Sequence, residues 1–138
     1  MVAFSPVLYQ REGLEGARRK QIVAVLQAAL EAVDPAAAIR QCLRREGDTL
    51  WVKGVPYELG PSTHVYVVGA GKAGAPMAQA VEEILGERIT AGLVTVKYGY
   101  TLPTRVVDLV QAGHPIPDEA GVNGARKVAA LLRDVGPD

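Results

Sequence analysis

Three short stretches hold the side chains best suited to chemistry. In the first, Val65-Tyr-Val-Val runs into Gly69-Ala-Gly71-Lys72-Ala-Gly74, and a helical pattern follows to Leu85. A strand that turns through glycines into a helix aims several backbone N–H groups at one point. The positive end of the helix dipole points there too. That point suits an anion, usually a phosphate, and Lys72 adds a full positive charge. In the second stretch, Lys97-Tyr98-Gly99-Tyr100 ends an apolar run that begins at Gly92. In the third, Gly113-His114-Pro115-Ile116-Pro117-Asp118 ends another. Gly69, Gly71, Gly74, Lys72, Lys97, Tyr98 and Asp118 are therefore the candidate substrate- or phosphate-binding residues. Lys72 and His114 are the candidate catalytic ones. Two cations at one edge suit several phosphates, and the main work of phosphoryl transfer is positioning and offsetting charge. His114 or Asp118 is placed to take a proton from an attacking hydroxyl. Asp118 also suits the cap of the helix behind it. No residue is assigned to a metal.

The glycine loop matches neither common phosphate loop in full. Its spacing fits the dinucleotide fingerprint G-x-G-x-x-G, with a strand before and a helix after. The fingerprint also wants an acid at the end of the next strand to hold the ribose of NAD. Here that end is Val96-Lys97-Tyr98. NAD is disfavoured, while a lysine is compatible with the extra phosphate of NADP. The Walker A pattern fails because Ala73, not Ser or Thr, follows Lys72. Phosphoryl transfer, an NADP-dependent oxidoreductase and a non-catalytic nucleotide or sugar-phosphate module all stay open at this point.

The surrounding elements must bring the three stretches together. A helix is expected from Leu14, with Ile22, Leu26, Ala29 and Val33 on one face. Arg18, Arg19 and Lys20 read as solvated charge. Asp34-Pro35 is a cap and restart. A second helix to about Arg45 follows, with Ile39 and Leu43 inward, Cys42 as a small buried side chain and Gly47 as its C′ residue. Thr49–Lys53 reads as a strand and 54–61 as turns, with Trp51 and Tyr57 as packing residues. His64 opens the central strand, away from the glycine turn. Met77, Val81, Ile84 and Leu85 form the stripe of the next helix, which Gly86 closes. The strand Gly92–Tyr98 completes a βαβ unit, whose crossover is right-handed. A third strand spans Thr104–Ala112, and a last helix carries Val122, Ala125, Ala129 and Leu132. The sequence thus predicts an α/β fold, a Rossmann-like parallel sheet with flanking helices. It places a helical lead-in at about 14–46 and a βαβ-type core at about 49–134. Ligands of open α/β sheets bind at the carboxyl edge, where all three stretches fall. Gly136-Pro137-Asp138 reads as a connector, so the domain is expected to be incomplete.

Bulk composition narrows the classes. The 138 residues carry 15 basic and 15 acidic side chains, and aromatics are few. A nucleic-acid partner is not expected, because neither a basic excess nor a stacking platform is present. One cysteine permits no internal disulfide. No apolar run reaches the roughly 18 residues that a membrane span needs. No signal-peptide pattern opens the chain. A soluble cytoplasmic protein with a small-molecule substrate is the expectation.

Val-Gly-Ala-Gly-Lys-Ala, then Gly-Leu-Val-Thr-Val-Lys-Tyr-Gly, then Ala-Gly-His-Pro-Ile-Pro-Asp-Glu occur in this order with short gaps. Together they resemble the amino-terminal part of the glycerate 2-kinase family, the two-domain type once labelled hydroxypyruvate reductase. The resemblance runs from about Leu14 to Leu132. It implies transfer of a phosphoryl group from ATP to D-glycerate, giving 2-phosphoglycerate, with Mg²⁺ helping. It also implies a Rossmann-like domain, a smaller carboxyl-terminal domain that is absent from this chain, and an active site between the two. A homo-oligomer is compatible with it. The family lysine of the glycine turn falls on Lys72, its strand-end lysine on Lys97 and its loop histidine on His114. Many members have Ser where Gly74 stands and His where Tyr100 stands. With part of the site missing, the isolated chain is expected to be inactive.

Overall fold

The computed structural model of the chain describes residues 13–136. Residues 1–12 and the last two residues of the connector lie outside them. The chain divides into two compact units, Met1–Asp34 and Pro35–Asp138. The first contains helix α1 (Gly13–Ala32). Ile22, Leu26 and Ala29 share a face of it, as their spacing predicts, while Val33 lies just past its end. That face and Val33 are exposed, Val33 at 72%, whereas Val23 is buried. Spacing fixes which residues share a face but not which face is covered.

In the second unit, α2 (Pro35–Cys42) begins directly after Asp34. It ends sooner than its periodicity suggests. Leu43–Glu46 is strand β1, which pairs antiparallel with β2 (Thr49–Val52), Leu43 opposite Val52 and Glu46 opposite Thr49. Gly47, at φ 61°, opens a two-residue hairpin turn and does not close a helix. The next turn is Lys53-Gly54, with φ 49° and 82°. Positive φ at both central residues is the type I′ arrangement, whose twist matches that of hairpin strands. It leads into β3 (Val55–Glu58), so the stretch expected as turns contains a strand. Pro56 fits because β3 is an edge. Cross-strand pairing over two tight turns has overridden the helical spacing of Ile39 and Leu43. Cys42 is half-buried. Trp51 is half-buried with the Arg44 guanidinium 5.0 Å from its ring centroid, while Tyr57 is exposed rather than packed.

The larger sheet is parallel, in the order β4 (Val65–Ala70), β5 (Ile89–Lys97), β6 (Val107–Ala112). Helix α3 (Gly74–Leu85) joins β4 to β5, and α4 (Glu119–Leu131) follows β6. The α/β class with a parallel sheet and flanking helices is the class observed. The pleat of β5 assigns its two faces. Val94 and Val96 meet α3 at Gly74, and Thr95 meets α4 at Gly124. The helices therefore cover opposite faces, as a parallel sheet requires.

The core lies on the α3 side. Ala75, Ala78 and Leu85 of the helix pack with Ile89, Val94, Val96 and Val107, while Val81 and Ile84 pack against this cluster. Met77, expected as a core filler, is 38% exposed. Helix α4 also departs from its pattern. Val122, Ala125, Ala129 and Leu132 face outward, and Gly124 is buried with Val128 and Leu131 half-buried. A glycine against Thr95 lets the α4 backbone approach the sheet, and this close approach decides the face more than side-chain hydrophobicity does.

Gly74 has the same role on the other face. A Cβ there would lie 2.6 Å from Val94 Cγ1 and 3.2 Å from Val96 Cγ1. Stiff β-branched core side chains cannot yield freely. Gly74→Ala is therefore expected to destabilise the domain by about 1–3 kcal/mol through overpacking. Urea unfolding should show a lowered midpoint at unchanged slope; an unchanged midpoint would show that α3 can shift outward without cost.

Candidate functional site

Because β4, β5 and β6 are parallel, their carboxyl ends lie at one edge. The three chemistry-bearing stretches follow those ends: 71–73 after β4, 98–100 after β5 and 113–118 after β6. The sequence reading therefore placed all its candidate residues at one edge correctly. It did not resolve how they are distributed along it.

Gly71 adopts φ 129°, a backbone region open to glycine, and donates its N–H to the Thr95 carbonyl at 2.8 Å. The turn is thereby tied to β5. Ala73 is the N-cap of α3, and its side chain makes no capping hydrogen bond. The Gly74 N–H goes to the Gly71 carbonyl at 3.0 Å, and Pro76 has no N–H. The amino end of α3 thus carries no side-chain cap and lies beside exposed Lys72, which has no ion-pair partner among the described residues. Glycines 69 and 71 leave the approach free of side chains. Gly74 acts by letting α3 sit against β5.

Two clefts flank this turn. One, of about 640 Å³, is lined by Gly69, Gly71, Lys97, Gly113, His114 and Pro117. The other, of about 490 Å³, is lined by Lys72, Gly74, Met77 and Val94 with Gly69 and Gly71 again. His114 lines both. Lys72 and Lys97 therefore share the edge but line different clefts.

The segment after β5 is a built turn. The Tyr100 N–H reaches the Lys97 carbonyl at 3.0 Å, and Gly99 has φ 75°. A positive φ at the third of four residues is the type II arrangement. It brings Tyr100 beside Lys97, whose Nζ lies 4.9 Å from the ring centroid. The Gly99 N–H donates to Gln111 Oε1 at 2.7 Å, and the Tyr98 hydroxyl donates to Asp118 Oδ2 at 2.8 Å.

Asp118 is the N-cap of α4, its Oδ1 accepting the Gly121 N–H at 2.9 Å. The Gly121 N–H, the Gly113 N–H and the Tyr98 hydroxyl together hold its carboxyl below the usual carboxylate range. In turn the Asp118 carboxylate, with some burial, raises the Tyr98 hydroxyl above its ordinary value. Asp118 and Tyr98 thus tie the end of β5 to the start of α4. His114, in the loop between, is exposed, and its bond to Pro115 is cis.

Sequence reasoning missed what holds the long connection from Tyr98 to Val106. Gln79 of α3 donates to the Pro103 carbonyl at 3.0 Å. Glu82, the one buried charged residue among those described, accepts the N–H groups of Arg105, Val106 and Val107. These bonds delay β6 to Val107, three residues after its expected start. Burial raises the Glu82 pKa, but the N–H groups of Val107, Val106 and Arg105 outweigh it and hold the carboxyl below the usual range. A signal was present: Glu82 falls at helical spacing with Ala78 and Leu85, inside the buried stripe.

A family model described as a domain of unknown function (DUF4147) matches residues 21–138. A glycerate 2-kinase from Pyrococcus horikoshii is 36% identical over 75% of this chain and 23% of its own length. A putative hydroxypyruvate reductase from Agrobacterium vitis is 32% identical over 87% of this chain and 24% of its own. Among solved structures, a Pyrococcus horikoshii protein superposes with TM-score 0.73 at 32% identity, over 85% of this chain and 26% of that one. A Thermotoga maritima glycerate kinase superposes with TM-score 0.63 at 26% identity, over 85% and 25%. The chain spans about a quarter of the length of these proteins. With 21–138 covered by one family model, and glycerate kinases similar to it in sequence and fold, the chain belongs to the DUF4147 family and carries its glycerate 2-kinase resemblance.

Proposed function

We propose that this chain is the phosphate-binding part of a cytoplasmic enzyme that phosphorylates D-glycerate from ATP, giving 2-phosphoglycerate. One observation carries the reading. An uncapped helix amino end, an open glycine turn and exposed Lys72 converge at the carboxyl edge of a parallel sheet. That cradle fits a nucleotide's phosphates. ATP would supply the phosphoryl group. The positive end of the α3 dipole would favour phosphate oxygens there, and Lys72 would offset charge as it develops on them. Lys97, steadied over Tyr100, would present a second cation from the neighbouring cleft. His114, exposed between the two clefts, would accept the proton of the attacking hydroxyl. Tyr98 and Asp118 would keep the β5 turn and the His114 loop in register. Among the described residues no cluster of three His, Cys, Asp or Glu side chains could hold a metal ion. Mg²⁺ therefore enters the proposal only as the ion that accompanies ATP.

A second reading has an observation of its own. The glycine fingerprint is realised in the structure, and two relatives from Agrobacterium vitis are named putative hydroxypyruvate reductases. An NADP-dependent reduction would use the same cradle. Calorimetric titration separates the two readings. The chain is expected to bind ATP–Mg²⁺, weakly, and more tightly than NADPH; the reverse order would favour the reductase. Incubated with ATP, Mg²⁺ and D-glycerate, the chain alone should give little or no ADP. Robust turnover would contradict the view that part of the site lies outside it.

A further inference from the structure

We infer that Gln79 is a positioning residue: with Glu82 it fixes the segment 100–104 as one wall of a third cleft at Lys72, and thereby sets how tightly that cleft holds phosphate. The inference rests on the reading of Lys72 as a phosphate contact. The cleft, of about 470 Å³, is lined in part by Lys72, Ala73 and Pro76 from the start of α3 and by Tyr100, Thr101 and Leu102 from the connection before β6. A cation and the positive end of a helix dipole thus share a cavity with two hydroxyl-bearing side chains, Tyr100 and Thr101. Hydroxyls can donate to phosphate oxygens, so the set of groups suits that anion. The cavity is only as well defined as the wall that closes it.

That wall has no regular structure, and Tyr100, Thr101, Leu102 and Pro103 are all exposed. What holds it comes from other elements. At its start, the Gly99 N–H of the turn before it goes to Gln111 of β6. At its end, Glu82 takes the N–H groups of Arg105, Val106 and Val107. Between these anchors, Gln79 donates to the Pro103 carbonyl at 3.0 Å. Pro76, Gln79 and Glu82 follow one another at intervals of three, so they form one stripe along α3. The connection runs down that stripe. Leu102 shares the cleft with Pro76, Pro103 meets Gln79, and Arg105 meets Glu82. One helix therefore begins at the Lys72 turn and also carries the groups that hold the wall of the Lys72 cleft. Gln79 acts midway, next to the lining residues, where Glu82 does not reach. A ligand that needs the wall in place loses apparent affinity by the fraction of time the wall is out of place.

Gln79→Met keeps the length of the side chain and removes the donor, so it tests the bond alone. In the wild-type chain, nitrogen-15 relaxation should give order parameters of about 0.85 for Thr101, Leu102 and Thr104, falling to about 0.6 or lower in Gln79→Met. The urea midpoint should stay at the wild-type value, which a merely structural role would lower. Titrated with ATP–Mg²⁺ and followed at the Lys72 and Ala73 amides, Gln79→Met should bind roughly fivefold or more weakly than wild type. Gln79→Lys, which restores a donor, should recover the order of the wall. Unchanged order in Gln79→Met, or lost order with unchanged affinity, would overturn the inference alone. A wild-type chain that binds no ATP–Mg²⁺ would overturn the phosphate reading of Lys72, and the inference with it.

Discussion

Replacing Lys72 by alanine in a family-length enzyme that carries this chain is expected to lower turnover by roughly tenfold or more. The ammonium sits in an exposed turn, next to an uncapped helix amino end, and no described carboxylate neutralises it. Its removal takes no side chain from the core, because Lys72 is exposed. The loss should therefore fall on kcat more than on stability, since charge on the transferring oxygens is greatest in the transition state. Lys72→Arg keeps the charge but changes its shape and reach, and should recover only part of the rate. Steady-state kinetics with an unfolding curve for each variant separates the two effects. Near-normal kinetics for the alanine variant would remove Lys72 from the reaction.

The largest effect on stability is expected at Glu82. Its carboxylate is 4% exposed and takes three backbone N–H groups at the entry to β6. In Glu82→Ala those donors lose their acceptor, two of them in a part-buried setting and the Val107 N–H fully buried. The buried Val107 donor alone costs about 1–3 kcal/mol and the two part-buried donors add less each, so a total of about 2–4 kcal/mol is expected. Glu82→Gln keeps one acceptor oxygen but adds an amide that needs acceptors of its own, so it should fall between. The pH dependence has a definite sign. The folded-state pKa of Glu82 lies below the ordinary value. Its contribution is therefore fully present above the unfolded value of about 4.3, and is lost as pH falls through the lower folded value. Urea midpoints measured from neutral to acid pH should converge for wild type and Glu82→Gln at the acid end. A constant gap across that range would mean that ionisation of Glu82 plays no part.

What was legible in the sequence was local. Gly69-Ala-Gly71-Lys72 between a β-branched run and an alanine-rich helix can hardly be built except as a strand, turn and helix. The apolar run before Lys97 and the Asp118 cap read equally directly. The illegible parts were decided by contacts distant in sequence. Leu43–Glu46 has helical spacing, but Val52 and Thr49 claim it for a hairpin. The stripe of α4 reads through Val122 and Ala129, but Gly124 meeting Thr95 turns another face inward. Ile22 and Leu26 on α1 look like core residues and are exposed. At the site, spacing placed Lys72, Lys97, His114 and Asp118 at one edge. It could not show that the Lys97 ammonium sits over the Tyr100 ring, or that Asp118 is already engaged by Gly121, Gly113 and Tyr98. Those outcomes depend on side-chain partners that no linear pattern encodes.

Phosphorus NMR of a family-length enzyme carrying this chain, given ATP, Mg²⁺ and D-glycerate, tests the central claim most directly. The expected result is loss of the ATP γ-phosphate signal with growth of ADP and of 2-phosphoglycerate, abolished or strongly slowed by Lys72→Ala. Unchanged ATP in the presence of the folded enzyme, together with oxidation of NADPH when hydroxypyruvate is supplied, would contradict it.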